Sequence, residues 1–258
     1  MSDDLLHLSQ PRAGVVQVTL NDPARFNALG GDMLEQLIAT FKTLAADESL
    51  RAVVLAGNGK AFCAGHNLKE MAAHPDMQWY QALFAQCSRL MLAIHHLPVP
   101  VIAKVQGIAT AAGCQLVAQC DLAVASQEAR FAVSGIQYGL FCSTPSVPLV
   151  RNVPLKKAME MLVTGAFISA QEALQAGLLN RVVPADELEQ GVDALLDAIV
   201  SKPRISLARG KELLYAQKNM GIEAAYQLAA QTMAINMMDD AAQEGAQAFV
   251  QKRAPHWS

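Results

Sequence analysis

Apolar residues fall in short blocks divided by turn residues, and their period changes along the chain. Val15–Leu20 (VVQVTL) reads as a strand, stopped by Asn21-Asp22-Pro23. Met33–Ala45 sets Leu34, Leu37, Ile38, Phe41 and Leu44 on one stripe of a helix. Ala52–Ala56 is a short apolar strand ending in the turn Gly57-Asn58-Gly59. Met77–His95 is a long helix, closed by Pro98 and Pro100. A strand at Val101–Val105, a helix at Ala111–Gln119 and a strand at Leu122–Ser126 follow. This alternation predicts an α/β core with a largely parallel sheet.

Beyond Pro145 the pattern turns helical: Leu155–Thr164, Ser169–Gly177, Asp186–Ser201, Ile205–Asn219, Ile222–Met238 and Asp239–Gln251. Ser169 with Glu172 is a capping box. Only Asn180–Val183 reads as a strand there. No fixed-period repeat and no low-complexity linker separates the two parts, so close packing is expected.

Apolar residues make up 52% of the 258 and charged residues 17%. That composition excludes a disordered chain and suggests that some apolar surface is buried between subunits. The net charge of −3 gives no electrostatic reason to bind nucleic acid. No run is long and apolar enough for a membrane span, and Met-Ser-Asp-Asp does not start like a secretory signal or a transit peptide. Five cysteines (Cys63, Cys87, Cys114, Cys120, Cys142), none in a CxxC pair, suit reduced thiols, and a cytoplasmic protein is expected.

Two loops carry the candidate chemistry. Gly57–Lys69 (GNGKAFCAGHNLK) and Val105–Leu116 (VQGIATAAGCQL) each follow a buried strand and are rich in glycine and alanine. Such residues serve close helix–strand packing or close approach to a ligand, and one loop alone does not choose between them. The second loop opens a helix, whose first N–H groups are unpaired and suit an oxygen that is becoming negative.

Taken together and in order, these loops resemble the crotonase superfamily, the enoyl-CoA hydratase/isomerase group. The resemblance spans nearly the whole chain. It includes Arg25-Phe26-Asn27-Ala28-Leu29, Lys60–Gly65, Gly107–Asp121, Phe131, Gly139, Thr164-Gly165, Ala170–Ala173, Ala176-Gly177-Leu178, Glu244-Gly245, Phe249 and Lys252-Arg253. A closer likeness to one subgroup is carried by Ala111–Ala118 and Gly139–Pro145.

The resemblance implies a spiral of ββα units (expected over residues 1–195) followed by a helical region (196–258) used in trimerisation, with trimers or hexamers as the assembly. It implies an acyl-CoA ligand and no cofactor or metal beyond the CoA moiety. The thioester oxygen would lie between the backbone N–H groups of His66 and Ala112, Ala112 standing where glycine is common. Arg25, Ala28, Ala64, His66, Asn67 and Leu68 would line the CoA path. Tyr138, Cys142 and Ser143 lie where the acyl chain should pass.

The chain departs from the family pattern at the two glutamates that hydratases use. Their positions fall on Gln115 and Gly135. An amide cannot act as a base and glycine offers no side chain. Thioester binding with enolate stabilisation is therefore expected before ordinary water addition. Alternatives are a hydratase with a weak or relocated base, and a non-catalytic acyl-CoA binder. His66 also occurs in relatives that decarboxylate malonyl-type esters, and its imidazole could titrate near neutrality. A Cys142 nucleophile lacks an evident histidine partner. Asp121 reads as a structural residue at a strand start, and His95-His96 as a helix-end cap.

Overall fold

The computed structural model describes residues 4 to 257; the start Met1–Asp3 and the final Ser258 lie outside them. The strands are β1 Leu6–Arg12, β2 Val15–Leu20, β3 Ala52–Gly57, β4 Ala61–Cys63, β5 Val101–Val105, β6 Ile108–Thr110, β7 Leu122–Ser126, β8 Arg130–Ala132, β9 Ile168–Ser169 and β10 Arg181–Val183. The helices are α1 Gly31–Ala45, α2 Leu68–Ala73, α3 Met77–His96, α4 Ala112–Gln119, α5 Ser143–Asn152, α6 Leu155–Thr164, α7 Ala170–Gln175, α8 Leu188–Val200, α9 Arg204–Gln217, α10 Ile222–Met237 and α11 Asp240–Val250.

The strands form two sheets. The larger has the order β1-β2-β3-β5-β7-β10, and the smaller β4-β6-β8-β9. Successive pairs β3/β4, β5/β6 and β7/β8 each send the first strand to the large sheet and the second to the small one. Within each sheet these strands run parallel. Helices follow each pair, so the repeating unit is ββα, wound as a spiral.

The runs in β3, β5 and β7 are apolar throughout because both faces of the large sheet are covered. Val53, Leu55, Val101, Ala103 and Val105 enter the main core with α1 and α3. Val54, Ile102 and Val124 face the other way, beneath Leu188, Val192 and Leu196 of α8. Helix α8 therefore runs across the expected division at 195/196, with Leu196 packed on the sheet. The helices that leave the sheet begin with α9.

β1, the strands of the small sheet, α2 and α5 were not expected. β1 carries a polar, Pro-containing sequence tolerable only at an edge, and it pairs antiparallel with β2 there. The small sheet is built from strands of two or three residues, too short to show a period. α2 is six residues long. α5 begins two residues before Pro145, whose missing N–H falls in the first turn, where none is needed.

The capping box at Ser169 and Glu172 forms as expected. His95-His96 does not cap α3. The His95 ring packs on Tyr215, with centroids 4.3 Å apart, and Lys211 Nζ takes the capping place by donating to the Ile94 carbonyl at 3.0 Å. Asp121 is structural: it accepts from Val101 N–H, Lys211 Nζ and Tyr215 OH, each at 2.7 Å. These bonds tie α9 to the start of β5.

Candidate functional site

Gly57, Gly107 and Gly113 are explained by packing alone. A Cβ at each would run into backbone of Phe62, Lys60 or Cys63 respectively. The small residues of the two loops therefore first bring the second sheet's strands and the start of α4 into contact. What that contact produces is a cavity of ≈ 740 Å³ beside it.

His66 and Ala112 both line this cavity. The loops that carry them touch: a Cβ at Gly65 (φ 91°) would stand 2.8 Å from Ala111 Cβ and 3.1 Å from Ala112 N. Among the described residues neither the His66 nor the Ala112 N–H donates to a protein acceptor. Ala112 is the first residue of α4, where an N–H has no partner within the helix. Its direction is set by Ala111, with φ 50° and ψ −120°, a conformation that usually calls for glycine. Nothing in the local sequence signals this, since Ala111 looks like an ordinary helix former.

The His66 imidazole is fixed as well. Its Nδ1 lies 3.1 Å from the Leu29 carbonyl, which can only accept, so Nδ1 carries the proton. Nε2 is buried without a partner, and Phe84 packs edge-on at 5.5 Å. Burial lowers the pKa of the ring, against a smaller raising effect from the Leu29 bond. His66 is thus neutral at pH 7 and adds no positive charge to the cavity.

Arg25, Ala28, Ala64, Asn67 and Leu68 all reach the cavity wall, and Lys69 stands with Arg25 at its rim. Arg25 Nε is paired with Asp22 at 2.6 Å and remains largely exposed. Asn67 also caps α2, its Oδ1 accepting from the N–H groups of Lys69 and Glu70. The segment is anchored by Asn27, which is fully buried and left-handed (φ 54°). Asn27 Nδ2 donates to the carbonyls of Asn58, Ala61 and Phe62 at 2.9–3.1 Å, and its Oδ1 accepts from Asp22 N–H. An asparagine inside an otherwise apolar motif is the only sequence signal for this anchor; the carbonyls it holds lie more than 30 residues away.

The two positions at which glutamates were expected from the resemblance separate in space. Gly135 lines the cavity. Gln115 does not: it sits one turn into α4, is almost fully buried, and accepts from the Cys87 thiol of α3 at 3.9 Å. Among the described residues the cavity wall contains no aspartate or glutamate. Cys142 reaches the wall, but its sulfur accepts the Gly135 N–H and burial raises its pKa, so it is held as the thiol. Of α3, Phe84 reaches the wall; the Gly135–Pro145 segment supplies most of that side. Thr110 Oγ1 and Ser134 Oγ, neither singled out by sequence, lie 2.7 Å apart on the wall.

Residues 10–258 match the family model for enoyl-CoA hydratase/isomerase. The chain belongs to that family. It is 43% identical to the rat enoyl-CoA hydratase domain-containing protein 3, mitochondrial, over 100% of this chain and 86% of the relative. This is the subgroup that Ala111–Ala118 and Gly139–Pro145 resemble. The crystal structure of the human protein of that name superposes with a TM-score of 0.95 at 42% identity, covering 98% of this chain and 100% of the other. An enoyl-CoA hydratase structure from Mycobacterium smegmatis gives 0.98 at 58% identity, with 99% of each chain covered. Family membership thus accounts for the crotonase-type spiral.

The cytoplasmic placement expected from the cysteines is overturned by these relatives, whose names place them in mitochondria. All five thiols are free and buried. Their reduced state reflects burial in the core, and it says nothing that would single out the cytosol.

Proposed function

We propose that the protein binds an acyl-CoA thioester in this cavity and stabilises its enolate between the backbone N–H groups of His66 and Ala112. The observation that carries this is the combination of two unpaired N–H groups and a wall free of carboxylates. Donors aimed at a developing oxyanion in a water-poor cavity lower a barrier without transferring a proton. Water addition needs a base at the reacting carbons, and Gln115 and Gly135 provide none. Arg25 and Lys69 at the rim suit the CoA phosphates, and no cofactor beyond that CoA is called for.

The name of the Mycobacterium smegmatis relative favours hydration by a relocated base. The carboxylate-free wall favours simple acyl-CoA binding as the third alternative. The exposed apolar side chains of α10 and α11, among them Tyr226, Met233, Phe249 and Val250, suit burial in a homotrimer or hexamer.

The test is a panel of malonyl-type, enoyl and saturated acyl-CoA esters, with binding followed by calorimetry and products by mass. Ala112→Pro removes one donor, and it is made together with Ala111→Gly because the proline ring would meet the Ala111 Cβ at ψ −120°. Relative to Ala111→Gly alone, turnover should fall by about 10²–10³, and the thioester carbonyl stretch of bound ester should return toward its value in water. Saturable binding without any turnover would sink the enzyme and leave the binder. No binding of any ester would sink both.

A further inference from the structure

The Gly65–His66 peptide is held from one side by a single residue, Leu29. Leu29 N–H donates to the Gly65 carbonyl at 2.7 Å, and the Leu29 carbonyl accepts from His66 Nδ1 at 3.1 Å. Leu29 and His66 form an isolated parallel bridge, and Leu29 is fully buried in the main core. In a planar trans peptide the C=O and the N–H point opposite ways. With the Gly65 carbonyl turned to Leu29, the His66 N–H is turned away from it, and among the described residues it meets no protein acceptor. Gly65, at φ 91°, gives this peptide a freedom to rotate that a residue with a Cβ would lack. The imidazole opposes that rotation from the other end, because its bond to Leu29 fixes the direction in which the His66 Cβ leaves the chain. Among the described residues the ring makes no other hydrogen bond: Nε2 is buried without a partner, and Phe84 packs edge-on. A leucine would fill similar space without leaving a nitrogen unpaired. The Nδ1 bond is thus what a histidine adds here.

We infer that the His66 side chain is a positioning residue for its own backbone donor: through Nδ1 and the Leu29 carbonyl it holds the His66 N–H in the direction that meets the thioester oxygen. The inference rests on the acyl-CoA reading of the cavity and adds to it how the first donor is aimed. The two donors are then held by different means. The Ala112 N–H is set by backbone alone, through the Ala111 conformation and the start of α4. The His66 N–H depends on a side chain as well, so it can be disturbed by substitution without being removed. No proton moves in this role, the ring stays neutral, and Nε2 takes no part.

The test reads the thioester carbonyl stretch of bound butyryl-CoA by infrared difference spectroscopy on the whole protein. Calorimetry gives the affinity for butyryl-CoA relative to free CoA within each variant. Every variant keeps the backbone N–H. The wild type should lower the stretch from its value in water. His66→Ala and His66→Leu lose the Nδ1 donor, and His66→Leu keeps bulk against Phe84. Both should return the stretch most of the way and lower the ester-to-CoA affinity ratio about tenfold, the worth of roughly one hydrogen bond. His66→Asn, whose amide nitrogen can stand where Nδ1 stands, should restore both. A wild-type stretch in His66→Leu, or a loss in His66→Asn equal to that in His66→Leu, would overturn this inference and leave the donor pair intact. A wild type that binds the ester without lowering its stretch would overturn the donor pair itself, and failure to bind the ester would overturn the acyl-CoA reading.

Discussion

The carbonyl oxygen of Leu140 occupies the space into which a side chain at Gly135 would grow. A Cβ there would lie 2.5 Å from that oxygen and 2.8 Å from Cys142 Sγ. The same segment is bonded to Gly135 twice, by Leu140 N–H to its carbonyl at 3.0 Å and by its own N–H to Cys142 Sγ at 3.3 Å. The space of a side chain at Gly135 is therefore filled by backbone from the following loop.

Gly135→Ala should accordingly destabilise the protein by about 1–3 kcal/mol, since the Leu140–Cys142 segment must move to admit the methyl. Differential scanning calorimetry checks this, and an unchanged melting temperature would show that the loop yields freely. By the same contact, Gln115→Glu with Gly135→Glu should not install crotonyl-CoA hydration, followed by loss of enoyl absorbance. Neither carboxylate would stand on the cavity wall without rearrangement.

Ala111 adopts φ 50°, ψ −120° to direct the Ala112 N–H. Holding a residue with a Cβ there costs on the order of 1–3 kcal/mol. Ala111→Gly should relieve part of this and raise the melting temperature by roughly 2–4 °C, the equivalent of about 1 kcal/mol in a chain of this size. Ala111→Val should lower it. A drop on Ala111→Gly would mean that the lost methyl packing outweighs the backbone effect.

Asn27 joins the Arg25–Leu29 segment to the β3–β4 turn through two amide N–H groups shared among three carbonyls and one accepted bond. Asn27→Asp turns a donor toward three carbonyls into an acceptor, and should cost about 3 kcal/mol or more. Asn27→Ala should cost about 2–3 kcal/mol and weaken acyl-CoA binding, because Arg25 and Ala28 lose their fixed position. Urea unfolding and ester titration on both variants read the two effects separately.

The lowered pKa of His66 has a pH consequence. Below the ordinary histidine value of 6.5 the unfolded chain takes up a proton that the buried ring refuses. The unfolded state then binds more protons, so stability rises with pH in that window. The contribution of His66 is fully present above pH 6.5 and is lost as pH falls toward the lowered folded value, by at most about 1.4 kcal/mol per pH unit. His66→Gln should flatten the acid side of the stability curve. An identical slope in the variant would assign the acid loss to other groups.

Much of this protein was legible locally. Strands β2, β3, β5 and β7 and the long helices α1 and α3 each bury enough side chains at one period to declare themselves in sequence. The two loops, with their order and spacing, marked the family.

The tertiary structure alone decided three things. It built the small sheet from strands of two or three residues, which are held by pairing with distant partners and carry no pattern of their own. It turned Gln115 into the layer between α3 and α4, because α4 is buried along almost its whole length. It also brought Thr110 beside Ser134 and Leu140 over Gly135. Side-chain chemistry and local period are written in a sequence, whereas the approach of backbone segments tens of residues apart depends on which strands pair and in what register. Here the parallel register of β6 and β8 is what sets the two hydroxyls, and with them the chemistry of the cavity wall, 2.7 Å apart.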